Sequence, residues 1–218
     1  MIKWIKWTLI QIRYAIWESK RTRKIHSNKT YQYNRLTASI IRLVHSIEKG
    51  LSIESPRLGF GYMKIEKLAS LVDKYMQNLP HDLTCVYMAN DALKAYCDYH
   101  DSIGFSSDQY ARIKEMHSKI NNYCHPMKST TEYGGVKKIL LSELDYDVNE
   151  IEKLFRTRHS IREFEKKSVS MEKIKKAIAL AQYAPSACNR QAVRVYAVSS
   201  KKYVQDSNTS LEGIGGFT

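Results

Sequence analysis

Apolar residues recur at helical spacing through most of the first 140 residues. In residues 2–17 the apolar stripe consists of Ile2, Ile5, Leu9, Ile12 and Ile16, at steps of three and four, which predicts an amphipathic helix. The same periodicity predicts helices over 35–50, 63–76, 83–100 and 108–123. Gly50 is the expected C-terminal stop of the second of these. Because no alternating run indicates a strand before residue 140, this half is predicted to be all-helical.

The pattern changes after residues 126–146, whose Pro, Gly, Ser and Thr residues predict a linker. Asp147 and Glu150 form a capping arrangement that starts a short helix ending near Arg158. Ser170 is expected to cap a helix over 171–183, and the alternation in 193–198 predicts a β-strand. The chain is therefore predicted to be α+β, with a helical extension over 1–145 and a second domain over 146–218.

The formal net charge of +13 is concentrated at one end of the chain. Residues 1–64 carry 13 Lys and Arg against 3 Asp and Glu, a net charge of +10, and the rest of the chain carries only +3. The basic segment 1–30 therefore indicates an anionic partner, either nucleic acid or acidic lipid. No recognition motif accompanies it, so we expect no specific nucleic-acid binding.

Two interpretations of the first helix stay open. Lys6 and Arg13 interrupt its apolar stretch, which is too short to span a bilayer and lacks a signal cleavage site. The helix either packs on the protein or a partner subunit, or lies in a membrane interface with its tryptophans at headgroup depth. The second interpretation makes residues 2–24, which include the basic run 20–24, a peripheral contact at the inner membrane face.

Cysteine and histidine spacings predict no metal site. The four cysteines form no CxxC pair, and with no signal peptide they are expected to be reduced thiols in a cytoplasmic protein. Cys97 with His100, and Cys124 with His125, match no common zinc pattern, so buried free thiols are expected. His45 and Glu48 are expected to form a solvated or hydrogen-bonded pair.

Two segments of the second domain carry chemistry. Arg158, Ser160 and Arg162 alternate in a segment that reads as extended, so their side chains are expected on one side, as in a clamp for a phosphate. A solvated basic turn has the same pattern. In the second segment, 184–191, small residues let a planar ring approach the backbone, and Asn189 and Gln191 can donate and accept hydrogen bonds. An ordinary surface loop is the alternative there.

The two segments together, R-H-S-I-R-E-F and A-P-S-A-C-N-R-Q with a helix between them, resemble the flavin-holding motifs of the nitroreductase family. The resemblance implies FMN phosphate and ribityl contacts from Arg158, His159, Ser160 and Arg162. It implies flavin-ring contacts from Pro185, Ser186, Ala187, Asn189 and Gln191. It also implies a homodimer. Segments 45–51 and 57–61 resemble an N-terminal extension of nitroreductase-like proteins associated with surface-polysaccharide gene clusters.

The function implied by the resemblance is that of an FMN-dependent NAD(P)H oxidoreductase with a ping-pong mechanism. Hydride passes from NAD(P)H to flavin N5 and then to an unidentified small-molecule acceptor, and no side chain is nominated as catalytic. The resemblance covers about residues 147–218, so the chain is expected to stop inside the domain. The alternative is a truncated, catalytically inactive helical protein that is membrane-adjacent or partner-binding.

Overall fold

A computed structural model describes residues 2–27, 29–78, 82–124, 133–165, 167–191, 193–198 and 203. The α-helices within these residues are α1 (Ile2–Ser27), α2 (Lys29–Leu51), α3 (Tyr62–Met76), α4 (Thr84–Ser102), α5 (Asp108–Cys124), α6 (Val148–Thr157) and α7 (Met171–Ala181). Two single 3-10 turns, Leu141–Glu143 and Ala187–Asn189, complete the regular structure of the described residues. The predicted helices are confirmed, and most are longer than predicted. Residues 126–132 of the predicted linker lie outside the described residues.

The chain divides into two compact units. The first comprises Met1–Val136 with Ala187–Arg190, and the second comprises Lys137–Ser186 with Gln191–Thr218. The domain boundary near residue 145 stays a prediction from the sequence.

The first unit is built around a core of four helices. Helix α2 packs against α3 and α4, and α5 packs against the same two helices. Their apolar faces meet because residues three and four apart share one side of a helix. The fully buried residues include Ile40, Val44, Ile47, Ile65, Leu68, Val72, Val86, Leu93, Ile113 and Ile120. The all-helical interpretation of this half holds for its described residues.

A buried imidazole joins α4 to the loop between α2 and α3. His100 is fully buried, and its Nε2 accepts a hydrogen bond of 3.1 Å from the backbone N–H of Gly59. Because Nε2 is an acceptor, the ring proton is on Nδ1, which donates to the Tyr96 carbonyl at 2.8 Å. Gly59 has φ +64°, a left-handed conformation that favours glycine. Both ring nitrogens are therefore satisfied inside the core.

Aromatic rings surround this imidazole. The Tyr96 ring stacks on His100 with centroids 4.0 Å apart, and Phe60, Tyr99, Phe105 and Tyr110 lie within 6.0 Å of it. The Tyr96 hydroxyl donates to the Phe60 carbonyl at 3.0 Å, and the Tyr110 hydroxyl donates to Asp101 Oδ1 at 2.9 Å. Burial raises the pKa of Tyr96 to about 12. These bonds link the loop to α4 and α4 to α5.

Gly50 is needed for close packing. A Cβ at this position would lie 2.1 Å from Cε2 of Phe60, closer than any real contact. Helix α2 continues through Gly50 to Leu51. The predicted C-terminal stop is therefore one residue from the end of the helix. Glycine is also needed at this position because the Phe60 ring lies against its backbone.

Residues 133–136 of the predicted linker belong to the first unit and pack against α2 and α4. The Tyr133 N–H donates to Asp91 Oδ2 at 2.7 Å, and the Gly135 N–H donates to Glu48 Oε1 at 3.1 Å. The Tyr133 ring stacks on Tyr87 with centroids 5.4 Å apart. A Cβ on Gly134 would lie 2.6 Å from the Met88 carbonyl oxygen, so the backbone passes very close to α4. This segment is therefore fixed by carboxylates of α2 and α4.

The predicted α+β class is wrong. The described residues contain helices and no strand, and residues 193–198, predicted as a strand, form no sheet pairing. Val193, Val195 and Tyr196 are exposed. Alternation indicates which residues suit a pleated surface, but a strand also requires a neighbouring strand to receive its N–H and C=O groups. That neighbour is absent from the described residues.

The described part of the second unit has amphipathic helices but no buried core. None of its described residues between 137 and 198 is buried, and Leu154 and Phe155 on α6 are 65% and 76% exposed. Helix α1 of the first unit also exposes most of its side chains. The described residues include no helix long and apolar enough to cross a membrane.

We expect Gly50→Ala to destabilise the first unit, because the added methyl group would displace the Phe60 ring. Overpacking of this kind costs about 1–3 kcal/mol of unfolding free energy, partly offset by the better helix propensity of alanine. Urea denaturation followed by circular dichroism measures the change. The matched test measures the cost of Gly50→Ala again in a Phe60→Leu background, in which the ring is absent. An equal cost in both backgrounds would show that the ring is not responsible.

The half-buried carboxyl group of Glu48 gives a pH-dependent prediction. Burial raises the pKa of Glu48 above its ordinary value of 4.5, against smaller lowering effects of the Gly135 hydrogen bond and His45. A raised folded-state pKa means that ionisation disfavours the folded state, so this group costs stability as pH rises through and above 4.5. Glu48→Gln keeps an acceptor for the Gly135 N–H and removes that cost.

Glu48→Gln should therefore increase the free energy of unfolding at pH 7 and leave it nearly unchanged at pH 4, where both residues are neutral. Urea titrations at the two pH values make the comparison. Glu66→Gln on the exposed side of α3 is the control and should show neither effect. A loss of stability at pH 7 would mean that the attraction between Glu48 and His45 outweighs burial.

Candidate functional site

The first segment follows the end of a well-capped helix. Asp147 Oδ1 accepts the Asn149 N–H at 2.8 Å and starts α6, as predicted. The helix ends at Thr157, and the Arg158 N–H donates to the Leu154 carbonyl at 3.0 Å. Arg158 has φ −67° and ψ 120°, so the chain leaves the helix in an extended conformation. The cationic segment therefore begins directly at the negative end of α6.

Arg158, His159, Ser160 and Arg162 are all exposed, in a stretch without regular structure. Neighbouring Arg156 lies inside α6, and its Nε is 2.6 Å from Glu152 Oε1. The two arginines thus differ: Arg156 has a carboxylate of its own helix as a partner, whereas Arg158 is the first residue after the helix. An extended backbone places alternate side chains on one side.

The second segment begins after α7. Ser170 caps this helix by accepting the Lys173 N–H at 3.4 Å, which confirms the predicted cap. The helix ends at Ala181, and Pro185 precedes a tight loop. Within the loop, Ser186 Oγ accepts the Gln191 N–H at 3.1 Å. Ser186 therefore closes the loop. Its contact with a flavin ring stays a prediction.

Three residues of this loop have left-handed backbone conformations. The φ angles are +53° at Cys188, +50° at Asn189 and +44° at Gln191. Asparagine tolerates this region, but cysteine and glutamine adopt it rarely, so the loop is strained. Of these three residues, only Asn189 is of a type that indicates a left-handed backbone in the sequence. Strain of this kind is concentrated at binding and catalytic sites, because surrounding contacts must maintain it.

The predicted site residues are distributed over both compact units. Ala187–Arg190 belongs to the first unit, where the turn Ala187–Asn189 lies against α2, and Cys188 and Asn189 are half-buried. Arg158, His159, Ser160 and Arg162 belong to the second unit, as do Pro185, Ser186 and Gln191. That all of them contact one FMN molecule stays a prediction.

The candidate metal ligands have other partners. Glu48 Oε1 accepts the Gly135 N–H, and Oε2 lies 3.8 Å from His45 Nδ1, which makes a paired carboxylate. His100 is satisfied inside the core, and Cys85, Cys97 and Cys124 are buried free thiols, as expected. Among the described residues no three His, Cys, Asp or Glu side chains are grouped for a metal ion.

A protein-family model matches the part of the chain that contains both segments. Residues 155–211 match the Nitroreductase family model. The match contains both segments in the expected order and extends past the described residues. No curated protein and no solved structure matched the chain. At the level of the family, the match supports a flavoprotein oxidoreductase.

The residues present suit a flavin mononucleotide chemically. Two exposed arginines and a hydroxyl supply the donors that a phosphate of charge near −2 requires. The half-buried loop supplies amide groups that can pair with both donors and acceptors of a flavin ring. The residues therefore fit FMN in the types of hydrogen-bonding group that they offer and in their order along the chain.

Proposed function

We propose that this chain is an FMN-dependent oxidoreductase of nitroreductase type. The observation that supports it is the family match over 155–211, which contains the cationic segment and the strained amide-bearing loop in order. Arg158, His159, Ser160 and Arg162 hold the phosphate and ribityl chain. Pro185, Ser186, Ala187, Asn189 and Gln191 lie against the ring.

The side chains of this site bind and orient. Arginine suits the phosphate because its planar guanidinium makes two charge-assisted hydrogen bonds at once. Asn189 and Gln191 fix the pyrimidine edge through an amide that both donates and accepts. When bound, FMN would supply the redox chemistry, which is hydride transfer from NAD(P)H to a small-molecule acceptor. We assign no acid or base among the side chains.

Binding of FMN by the full chain tests this proposal. We expect the purified protein to retain flavin absorbance after removal of excess FMN. Arg158→Ala should weaken FMN binding by about 10- to 100-fold, the usual effect of losing a charged hydrogen bond to phosphate. Arg156→Ala is the matched control, since this arginine is paired with Glu152 inside α6. Titration followed by quenching of flavin fluorescence measures both.

A second pair of variants examines the ring contact. Asn189→Asp keeps the size and the tolerance of a left-handed backbone but removes the amide donor, so it should weaken binding of FMN. Asn122→Asp on the exposed side of α5 makes the same chemical change elsewhere. If Arg158→Ala binds FMN as well as Arg156→Ala, and Asn189→Asp as well as Asn122→Asp, these residues do not hold FMN.

We also propose that the chain forms a homodimer. The described part of the second unit buries no residue, and α6 exposes the apolar side chains Ile151, Leu154 and Phe155. Apolar surface of this kind is normally covered, and a second copy is the partner that the family resemblance implies.

The dimer has its own test. Sedimentation of the full chain should give twice the monomer mass, and Leu154→Ser with Phe155→Ser should shift it toward monomer by removing two exposed apolar groups. A control with Ile53→Ser and Leu58→Ser removes exposed apolar side chains from the loop after α2. A monomer at all concentrations, or a dimer unaffected by the α6 variant, contradicts the proposed interface.

A further inference from the structure

Helix α1 exposes an unusual amount of apolar surface. Trp4 and Trp7 are 71% and 63% exposed, and the other exposed large apolar residues of this helix are Ile5, Leu9, Ile10, Ile12, Tyr14, Ile16 and Trp17. Soluble surfaces rarely leave aromatic and aliphatic side chains contiguous in this way unless something else covers them. The question is what covers this helix.

The apolar side chains lie on more than one side of α1. At 3.6 residues per turn, Ile5, Leu9, Ile12 and Ile16 form one stripe and Trp7 and Tyr14 lie on the opposite side, while Trp4 and Trp17 lie between the two. A single protein surface would have to cover two opposite faces at once, whereas acyl chains and headgroups can contact different faces of a helix that lies at their boundary.

The charge of α1 favours an anionic surface. The helix carries seven Lys and Arg residues and one acidic residue, Glu18, which lies 3.5 Å from Arg21. Four of the cations form the run Lys20, Arg21, Arg23 and Lys24, directly after the last tryptophan. Two copies of such a helix side by side would bring like charges together. Acidic headgroups would instead neutralise them.

We propose that α1 binds the surface of a bilayer containing anionic phospholipid. The part bearing Trp4, Trp7 and Trp17 lies at the boundary of headgroups and acyl chains, and residues 20–24 contact acidic headgroups. Lys6 and Arg13 extend their long side chains toward the headgroups from the embedded part. This association does not depend on FMN binding.

The experiment uses the full chain and its own tryptophans. The sequence contains three tryptophans, and all of them are on α1, so tryptophan emission reports on this helix alone. We expect vesicles of phosphatidylcholine with phosphatidylglycerol to sediment the protein and to shift tryptophan emission to the blue. Vesicles of phosphatidylcholine alone should bind at least tenfold more weakly, and salt should weaken the anionic binding.

Two variants separate the charge from the apolar surface. Lys20→Gln, Arg21→Gln, Arg23→Gln and Lys24→Gln together should weaken binding to anionic vesicles by more than tenfold, since each basic residue near such a surface contributes roughly fivefold. The matched control changes four exposed lysines of the second unit, Lys137, Lys138, Lys175 and Lys176, to Gln and should bind normally. Trp4→Ala with Trp7→Ala should also reduce binding while Trp17 still reports.

Three results would overturn the proposal. One is failure of the full chain to sediment with anionic vesicles. Another is equal weakening by the control and by the α1 charge variant, which would mean that net charge alone determines binding. The third is a blue shift that increases with protein concentration without vesicles, which would assign α1 to a second copy of the chain.

Discussion

The packing of the first unit depends on one buried imidazole. His100 accepts from the Gly59 N–H and donates to the Tyr96 carbonyl, which connects the loop after α2 with the body of α4. A buried polar group without partners would cost about 1–3 kcal/mol, so the loop must stay where its N–H reaches the ring. The left-handed conformation of Gly59 and the absence of a side chain on Gly50 are needed around it. The positions of the loop, the aromatic cluster and the helix ends therefore depend on one another.

The two compact units are stabilised very differently. The first has a continuous apolar core formed by the four helices α2 to α5. The described part of the second has amphipathic helices whose apolar faces are exposed to solvent. Folding of a segment requires burial of apolar surface to offset its loss of conformational entropy. The candidate site residues therefore lie partly in the unit that has the apolar core, at Ala187–Arg190, and partly in described segments that bury no apolar side chain.

Helices were predictable because their signals are local. The periodicity of α2 to α5 and the caps Asp147 and Ser170 each lie within a few residues of the element they specify. The strand predicted over 193–198 is not formed, and this could not be foreseen because pairing depends on another segment. The partner of Glu48 is likewise 87 positions away, at Gly135. Of the candidate site, residue types and order were readable, but the left-handed backbone at Cys188 and Gln191 was not.

The distribution of thiols has a consequence for oxidation. Cys85, Cys97 and Cys124 are buried between the core helices, and burial raises the pKa of Cys85 and of Cys124 to about 11, so little reactive thiolate forms at neutral pH. Cys188 is only half-buried and lies in the strained loop beside Asn189. Electrophiles and peroxides therefore reach that loop first, while the core thiols react only when the helices separate. Their rate of alkylation is a direct measure of how often the helical unit opens.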